Sequence, residues 1–414
     1  MNVELVDATK PEGFRRALEL VTERPYSIER FLEAVAPIVR KIADEGYEAA
    51  RRYSEELDGV GFEDPLVGVE EAGRYMARVP ERTLRALREA VRRTYRFHEA
   101  MMPPRRVRVP GGWVEWAPIE SVGVYVPGGR HPYPSTAVMT VVPARVAGVK
   151  RVYVATPPCM SCGGLKVNPL IASAAFEAGA DAVIALGGPQ AIASMAYGCK
   201  PVPRVDKIVG PGSGYVQAAK LLVSHMVGID MVAGPTELAV VAGCEADPRV
   251  VAIEMAAQAE HGPDSIVVLV SLCSELAKKT LEVLKSLWSN GMGSALLIVV
   301  DRLEEAARLI AAMAPEHLYL EGVRPEDLGE ATLYSGVVSI GAPTAFLDYV
   351  AGPSHVLPTG GSARWRGGLS AYDFLKPVAF VAEYDREGLK AAVELARAEG
   401  FEAHARSLEL RVVE

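Results

Sequence analysis

Side-chain amides are scarce in this sequence of 414 residues, which contains only three Asn and three Gln. Lysine is also scarce, since 32 of the 44 basic residues are Arg. Amides are thermolabile, so their depletion favours a heat-adapted protein, while genomic base composition is a second explanation for the Arg excess. Half of the chain is apolar, which excludes a disordered protein and is enough for two or three domains with large cores.

The sequence also lacks an excess of positive charge and long apolar runs. Its net charge is −8, so we expect no basic surface for nucleic acid or for an anionic membrane. No run reaches the roughly 18 apolar residues that a membrane span requires. The first residues, MNVELVDATKPEGFRR, contain acidic side chains and no apolar segment typical of a secretory signal. We therefore expect a cytoplasmic protein.

Cysteine is sparse and odd in number. The five cysteines lie at positions 159, 162, 199, 244 and 273 and favour reduced thiols in a cytosolic protein over a disulfide framework. Cys159 and Cys162 have the spacing of a zinc-binding pair, but no second Cys or His pair follows within about 30 residues to complete four ligands. We therefore expect an ordinary loop there.

From residue 121 onward, short apolar strands alternate regularly with helical segments. The apolar runs 122–126, 151–157, 182–188 and 207–211 form one series, and the runs 238–243, 265–271 and 295–300 form a second. Continuous apolar strands separated by helices are typical of parallel sheets that helices cover on both faces. The pattern predicts an α/β fold with two doubly wound parallel-sheet domains.

The order of the two series implies domain boundaries. We expect an N-terminal arm at 1–23, a first α/β domain made of 24–120 and 237–370, and a second α/β domain at 121–236. Residues 371–414 resemble a tail, because they have too few apolar positions to fold alone. We expect this tail to end in a helix followed by a short strand, LELRVV.

Three glycine-rich turns each follow a strand and precede a helix. They are PGG at 127–129, GGPQ at 187–190 and GPGSG at 210–214. N–H groups at such helix starts can hold phosphate, and parallel sheets bind ligands at the carboxyl ends of their strands, so a nucleotide is a candidate ligand. No clean G-x-G-x-x-G motif is present, and each turn alone is equally well a simple tight turn.

Candidate chemistry is scattered over four places. These are, in chain order, Gln258 with His261, Glu316 with His317, Asp348, and Glu399 with His404. Gln258 and His261 lie three residues apart near the end of a predicted helix and therefore share one face. No spacing connects the four places, so one shared metal site and several separate solvated groups both remain open.

Seven longer segments stand out as a set. They are VYVPGG at 124–129, GGPQAIA at 187–193, VDKIVGPGSGYV at 205–216, GPTELAVVA at 234–242, QAEHGPDS at 258–265, APEHL at 314–318 and DYVAGPSHVLPTGG at 348–361. In their order and spacing these segments closely resemble those of histidinol dehydrogenase, and the resemblance extends over nearly the whole chain. It implies two incomplete Rossmann-like domains in an aldehyde-dehydrogenase-like arrangement.

The resemblance also implies a reaction and a site. Histidinol would be oxidised through its aldehyde to histidine with two NAD⁺, and one zinc ion per site would be bound by Gln258, His261, Asp348 and His404. Glu316 and His317 match the general-base pair of the family. The implied substrate contacts are Thr236, Gln258, His261, His317, Asp348, Glu399 and His404, and the implied NAD contacts are Tyr125, Gln190 and Ser213. The family usually has Asn where this chain has Ser213.

A homodimer is the implied assembly. The C-terminal tail of one subunit would reach across to its partner, so that Glu399 and His404 complete the partner's site. Histidinol and NAD would be the small-molecule partners of each site.

Two other functions remain open. An aldehyde dehydrogenase would need an activated Cys nucleophile, but Cys244 and Cys273 lie within or beside apolar strands and Cys199 follows a helix end. A regulatory protein that binds a nucleotide or a metal without catalysis is disfavoured because the Glu-His pair and all four implied zinc positions are present together.

Overall fold

The protein is described here by a computed structural model that covers residues 2–23, 27–128 and 131–412. The chain divides into two compact units. The first unit consists of Met1–Met101 with Ile119–Phe374, and the second consists of Met102–Pro118 with Leu375–Glu414. Among the described residues, no helix is both long and apolar enough to cross a membrane.

The strands are short. In chain order they are β1 (Asn2–Asp7), β2 (Leu66–Gly68), β3 (Arg106–Val109), β4 (Gly112–Pro118), β5 (Ser121–Tyr125), β6 (Arg151–Thr156), β7 (Ala182–Ala185), β8 (Lys207–Val209), β9 (Gly228–Ile229), β10 (Glu237–Ala242), β11 (Ile266–Ser271), β12 (Ser294–Val299), β13 (His317–Glu321), β14 (Val337–Ile340) and β15 (Leu375–Val381).

Helices follow most of these strands. They are α1 (Pro11–Thr22), α2 (Glu29–Glu45), α3 (Tyr47–Asp58), α4 (Ala72–Met76), α5 (Glu81–Met101), α6 (Pro134–Ala147), α7 (Pro169–Glu177), α8 (Gly188–Tyr197), α9 (Gly214–Val223), α10 (Pro248–Ala259), α11 (Ser274–Leu287), α12 (Leu303–Met313), α13 (Pro325–Leu328), α14 (Thr344–Phe346), α15 (Arg386–Ala398) and α16 (Glu402–Val412).

The first unit contains two six-stranded sheets. Sheet I has the strand order β2-β7-β6-β5-β8-β9 and is parallel except for β2. Sheet II has the order β1-β12-β11-β10-β13-β14 and is parallel throughout. The predicted α/β fold with parallel sheets is therefore confirmed.

Strand β10 shows why these strands read as continuous apolar runs. All six of its residues are buried. Leu238 and Val240 enter one core, which they share with α10 and α11, whereas Ala239 and Val241 enter a second core on the opposite face, which they share with α1 and α12. Because helices cover both faces of the sheet, the side chains that point to either face are apolar from Leu238 to Val241.

The grouping of elements differs from the expected one at the N-terminus. Strand β1 pairs with β12, so the expected arm contributes an edge strand to sheet II. Strand β2 pairs with β7, and α2 buries Val35, Val39 and Ile42 in the core that α8 and α9 share. Strand β2 and helices α2 and α3 therefore pack with the 121–236 segment, whereas α5 contacts both that segment and Leu347–Ala351. An amphipathic stripe predicts that a helix is covered, but it does not identify the covering sheet.

The second unit is built on an antiparallel sheet with the order β15-β4-β3. The rings of Trp113 and Phe380 stack at 4.9 Å on neighbouring strands of this sheet. Its two helices, α15 and α16, pack together and bury Leu389, Val393 and Ala405. The expected strand LELRVV is wrong, because its residues through Val412 belong to α16.

Candidate active site

A cavity of about 730 Å³ lies in the first unit between the two sheets. On one side its lining residues lie at or beyond the carboxyl ends of strands in sheet I. Tyr125 is the last residue of β5, and Ser213 follows β8. On the other side they precede or begin strands of sheet II, as Thr236 does before β10 and His317 does in β13. The cavity thus faces the carboxyl edge of sheet I and the amino edge of sheet II.

Glu316 and His317 reach the cavity through a reversal of the chain. Helix α12 ends at Met313, and Ala314 adopts a left-handed conformation with φ of 47°. For a residue with a Cβ this conformation costs about 1–2 kcal/mol, and such strain is frequent at functional sites. The turn places Glu316 and His317 at the start of β13, where they are 7% and 3% exposed.

The two side chains lie in an acidic, water-poor environment. An oxygen of Glu316 accepts a hydrogen bond from the Glu237 N–H at 3.0 Å, and its other oxygen lies 4.0 Å from Nε2 of His317. Burial raises the pKa of Glu316 well above its ordinary value, and the charges of Glu237 and Asp348 act in the same direction. Burial lowers the pKa of His317, which favours its neutral, proton-accepting form.

Asp348 connects His317 with Gln258. The Asp348 Oδ1 lies 3.7 Å from Nε2 of His317, and its Oδ2 accepts a hydrogen bond from Nε2 of Gln258 at 3.0 Å. Asp348 lies on a π-helical segment, Leu347–Ala351, a conformation that is common at functional sites. The buried Glu254 supports this segment, because it accepts hydrogen bonds from the N–H and the hydroxyl of Thr344 at 2.9 and 2.6 Å.

Three of the four implied metal ligands line this cavity. Gln258 lies in the last turn of α10, His261 lies just beyond it, and Asp348 faces them. The Oε1 of Gln258 and the Oδ1 of Asp348 are buried without a hydrogen-bond partner, which is unusual for polar atoms and suits a cation. Within the described ranges, however, no group of three or more His, Cys, Asp or Glu side chains is arranged to hold a metal ion.

Glu399 and His404 belong to the second unit. Glu399 follows α15, and His404 lies in α16 with its ring 5.3 Å from that of Phe401. Both residues are exposed there. The roles that the resemblance implies for them stay predictions.

The implied NAD contacts lie at the carboxyl edge of sheet I. The hydroxyl of Tyr125 accepts a hydrogen bond from the Gly188 N–H at 3.0 Å, and burial raises its pKa to about 12. Gln190 donates from Nε2 to Asp58 at 2.9 Å, while its Oε1 is buried without a partner. Ser213 lies in the cavity wall just before α9 and is exposed.

A buried ion pair holds the glycine-rich turn at this edge. Lys220 and Asp230 are both fully buried and contact each other. The Asp230 carboxylate accepts a hydrogen bond from the Gly210 N–H at 2.7 Å, and Lys220 donates to the Gly210 carbonyl at 3.0 Å. Gly210 has a φ of 118°, and a Cβ there would lie 2.2 Å from the Tyr125 carbonyl. The turn therefore requires glycine at this position.

Sequence reasoning missed three residues beside the cavity. His355 contacts the Asp348 carbonyl through Nδ1 at 2.8 Å and the Thr136 hydroxyl through Nε2 at 3.0 Å, so it ties the two walls together. Asp58 orients Gln190, as described above. Gln217 is buried and accepts a hydrogen bond from the N–H of Ala233, a cavity residue, at 3.0 Å.

The scarcity of amides was a usable signal for one of these residues. Only three glutamines occur in the chain, Gln190, Gln217 and Gln258, and all three are buried at or beside the cavity. A composition that removes amides elsewhere retains them where a specific hydrogen bond is needed.

The cysteines differ from expectation at one place. Cys159 and Cys162 form a disulfide, which corrects the expected reduced pair. A hydrogen bond from the Cys159 N–H to the Lys166 carbonyl at 2.9 Å closes the loop on which both residues lie. Cys199, Cys244 and Cys273 are free. No cysteine is among the described residues that line the cavity, which argues against a thiol nucleophile.

Fold and site together define an α/β enzyme that holds a buried carboxyl–imidazole pair in a cleft between two sheets. A family model for histidinol dehydrogenase matches residues 22–412. The chain therefore belongs to the histidinol dehydrogenase family, oxidoreductases of histidine biosynthesis, which confirms the resemblance seen in the sequence.

Known relatives agree with this assignment. The chain is 39% identical to the histidinol dehydrogenase of Saccharolobus solfataricus over 95% of its own length and 98% of the relative's. It is 44% identical to that of Thermus thermophilus over 92% and 94%. The crystal structure of the enzyme from Elizabethkingia anophelis superposes with a TM-score of 0.88 at 29% identity, covering all of this chain and 98% of that one.

Proposed function

We propose that the enzyme oxidises histidinol through histidinal to histidine and transfers one hydride to each of two NAD⁺ in succession. The observation that carries this proposal is the buried Glu316–His317 pair in the cavity of a chain from this family. A four-electron oxidation needs a proton acceptor for an alcohol and an activator for water, and the pair supplies one group for each task.

In the first half-reaction, neutral His317 takes the proton of the alcohol as a hydride leaves the adjacent carbon for NAD⁺. Its depressed pKa keeps the imidazole free to accept that proton. Asp348, 3.7 Å away, then stabilises the imidazolium that forms.

In the second half-reaction, water adds to the aldehyde before another hydride can leave. Glu316 takes the proton of this water, and its raised pKa makes it a stronger base than an ordinary carboxylate. The Glu237 N–H fixes one carboxyl oxygen, which leaves the other on the side of His317. The hydrated aldehyde then loses its second hydride, and the product is a carboxylate.

The test of this proposal is the yield of NADH from a limiting amount of histidinol. We expect two NADH per histidinol and one per histidinal. One NADH per histidinol would indicate a simple alcohol dehydrogenase, and none, with other amino alcohols also inert, would indicate a binding protein without catalysis.

We further propose Zn²⁺ as the metal, bound by Gln258, His261, Asp348 and a His404 supplied by the tail. Two unpartnered buried oxygens, on Gln258 and Asp348, support this assignment, since amide and carboxylate oxygens with imidazoles suit zinc. When bound, zinc would orient the amine and imidazole of histidinol.

Measuring the zinc content of variants can distinguish metal ligands from other residues that line the cavity. Asp348→Asn should weaken zinc binding at least about tenfold, measured as zinc retained after dialysis. Asp264→Asn is the matched control, because Asp264 lines the same cavity and is not an implied ligand. Equal zinc retention in both variants would contradict the assignment of Asp348.

The tail is proposed to act in a homodimer, with Glu399 and His404 entering the partner's site. Deletion after Leu395 should then abolish turnover while circular dichroism shows the two α/β sheets intact. Mixing the inactive variants His317→Asn and His404→Asn with subunit exchange should restore about a quarter of the activity, because half of the dimers are mixed and each has one intact site. Sites built within one subunit would restore none.

A further inference from the structure

The carboxyl edge of sheet II lies at the opposite end of that sheet from the cavity, and it holds two cysteines. Cys244 follows β10 by two residues, and Cys273 follows β11 by two residues. Since Ala242 pairs with Ser271, the register places Cys244 beside Cys273. The two segments remain hydrogen-bonded beyond the strands. The Leu272 N–H donates to the Ala242 carbonyl at 3.3 Å, and the Cys244 thiol donates to the Leu272 carbonyl at 3.7 Å.

The two cysteines are neighbours at the ends of paired strands and are accessible. Cys244 is exposed, and Cys273 is partly exposed. Neighbouring strands lie about 4.8 Å apart, which is within the Cα separation of roughly 4.4–6.8 Å that a disulfide spans. A bond between the two sulfurs therefore needs little backbone movement.

Their surroundings make the two thiols unequal. Cys273 occupies the N-cap position of α11, a helix of 14 residues. The Leu276 N–H at the start of α11 lowers the pKa of the Cys273 thiol, and the neighbouring Cys244 acts in the same direction, whereas the neighbouring Cys273 raises the pKa of Cys244. Cys273 is thus the thiol that loses its proton more readily, and Cys244 is the thiol that remains to resolve an intermediate.

We propose that Cys244 and Cys273 form a thiol-exchange site that reacts with low-molecular-weight disulfides of the glutathione class. The Cys273 thiolate attacks one sulfur of the small disulfide, forms a mixed disulfide and releases one thiolate. Cys244 loses its proton and attacks the Cys273 sulfur, forming the Cys244–Cys273 disulfide and releasing the second thiolate. The two protein thiols are oxidised by two electrons, and the small disulfide is reduced to two thiols.

The same surroundings disfavour two other uses of the pair. A metal site needs further ligands, and the described part of the chain has no group of three metal-binding side chains here or elsewhere. Catalysis at the cavity is also excluded, because neither cysteine lines it. The pair is therefore a modification site distinct from the active site.

Mass spectrometry of the full-length enzyme tests the proposal. The protein is reduced completely, freed of reductant and incubated with oxidised glutathione, and the remaining thiols are alkylated before digestion. The wild type should yield a Cys244–Cys273 cross-linked peptide. Cys244→Ser should stop at glutathionylated Cys273, and Cys273→Ser should react at Cys244 at least about tenfold more slowly.

Controls make each outcome decisive. Cys199→Ser should behave as the wild type, because Cys199 is buried and burial raises its pKa. All three variants should keep wild-type NADH production from histidinol, which shows that they are folded. A wild type that re-forms Cys159–Cys162 without the Cys244–Cys273 link would overturn the site. Equal reaction rates of the two single variants would overturn the assignment of Cys273 as nucleophile.

Discussion

The two edges that face the cavity are chemically opposite. At the carboxyl edge of sheet I, helices α8 and α9 begin, so their free N–H groups and positive dipole ends face the cavity region. At the amino edge of sheet II, helices α10 and α12 end, so carbonyl groups and negative dipole ends lie there. The first edge suits the phosphates of a dinucleotide, and the second suits a cationic amine or a metal ion.

This contrast refines the rule that parallel sheets bind ligands at their carboxyl ends. The rule describes the sheet I side, where Tyr125, Gln190 and Ser213 follow strands. It does not describe the sheet II side, where Glu316 precedes β13 and His317 is its first residue. A cavity between two sheets can therefore use unlike edges and present different charges to a cofactor and to a substrate.

The largest expected effect lies at the amino edge. His317→Asn should lower turnover of both histidinol and histidinal by about 10²–10⁴-fold, because the proton acceptor is lost. Glu316→Gln should lower oxidation of histidinal by a similar factor while sparing the first hydride transfer, so histidinal accumulates and the NADH yield falls from two towards one. Steady-state rates with each substrate measure both effects.

The exposed Glu330, which lies on a helical segment between β13 and β14, supplies a control, and Glu330→Gln should leave both rates unchanged. If Glu316→Gln slowed both half-reactions equally, the two groups would not divide the chemistry as proposed.

The next largest effect concerns stability at the carboxyl edge. Lys220→Met leaves the fully buried Asp230 without its partner, which should cost about 3–5 kcal/mol in the free energy of unfolding. The double variant Lys220→Met/Asp230→Leu should recover part of this loss. Urea unfolding measures both, with Lys279→Met in the exposed Glu275–Lys279 pair as the control that should change little. A double variant less stable than the single one would contradict an ion-pair explanation.

Local patterns predicted the alternation of strands and helices but not the partners of every element. The run LAVVAG at 238–243 was predicted to be a strand covered on both faces, and residues 238–242 of this run belong to β10. Strand β2 has three residues, and its pairing with β7 depends on contacts between residues more than 100 positions apart. Periodicity contains no information about such distant partners.

The site shows the same division. Gln258 and His261 were expected to share a helix face, and the resemblance supplied Asp348. Asp58 and His355 were missed because each acts through a hydrogen bond to a residue far away in the chain, to Gln190 and to Thr136. Such bonds depend on tertiary geometry, and no sequence spacing records them.

A group away from both edges separates stability from catalysis. His98 in α5 is 1% exposed, both of its ring nitrogens lack a partner, and burial lowers its pKa to about 4. The unfolded chain binds this proton near pH 6.5 and the folded chain only near pH 4, so stability is lost as pH falls between these values. The wild type should lose about 3 kcal/mol more than His98→Leu between pH 7 and pH 4 in urea unfolding. Parallel losses in both proteins would show that His98 is not the group responsible.

The smallest expected effect distinguishes the cofactor edge from the substrate edge. Gln190→Ala removes a buried side-chain amide, which can both donate and accept hydrogen bonds. This change should raise KM for NAD⁺ about tenfold, with little change in kcat or in KM for histidinol. Asp58→Asn keeps the size of the side chain that receives the Gln190 hydrogen bond but removes its charge, so it should raise the same KM by a smaller factor. Ser194→Ala is the matched control, because Ser194 is buried one turn further along α8 and does not line the cavity. If Gln190→Ala instead raised KM for histidinol, the two edges would not serve separate ligands, and the charge contrast between them would lose its functional meaning.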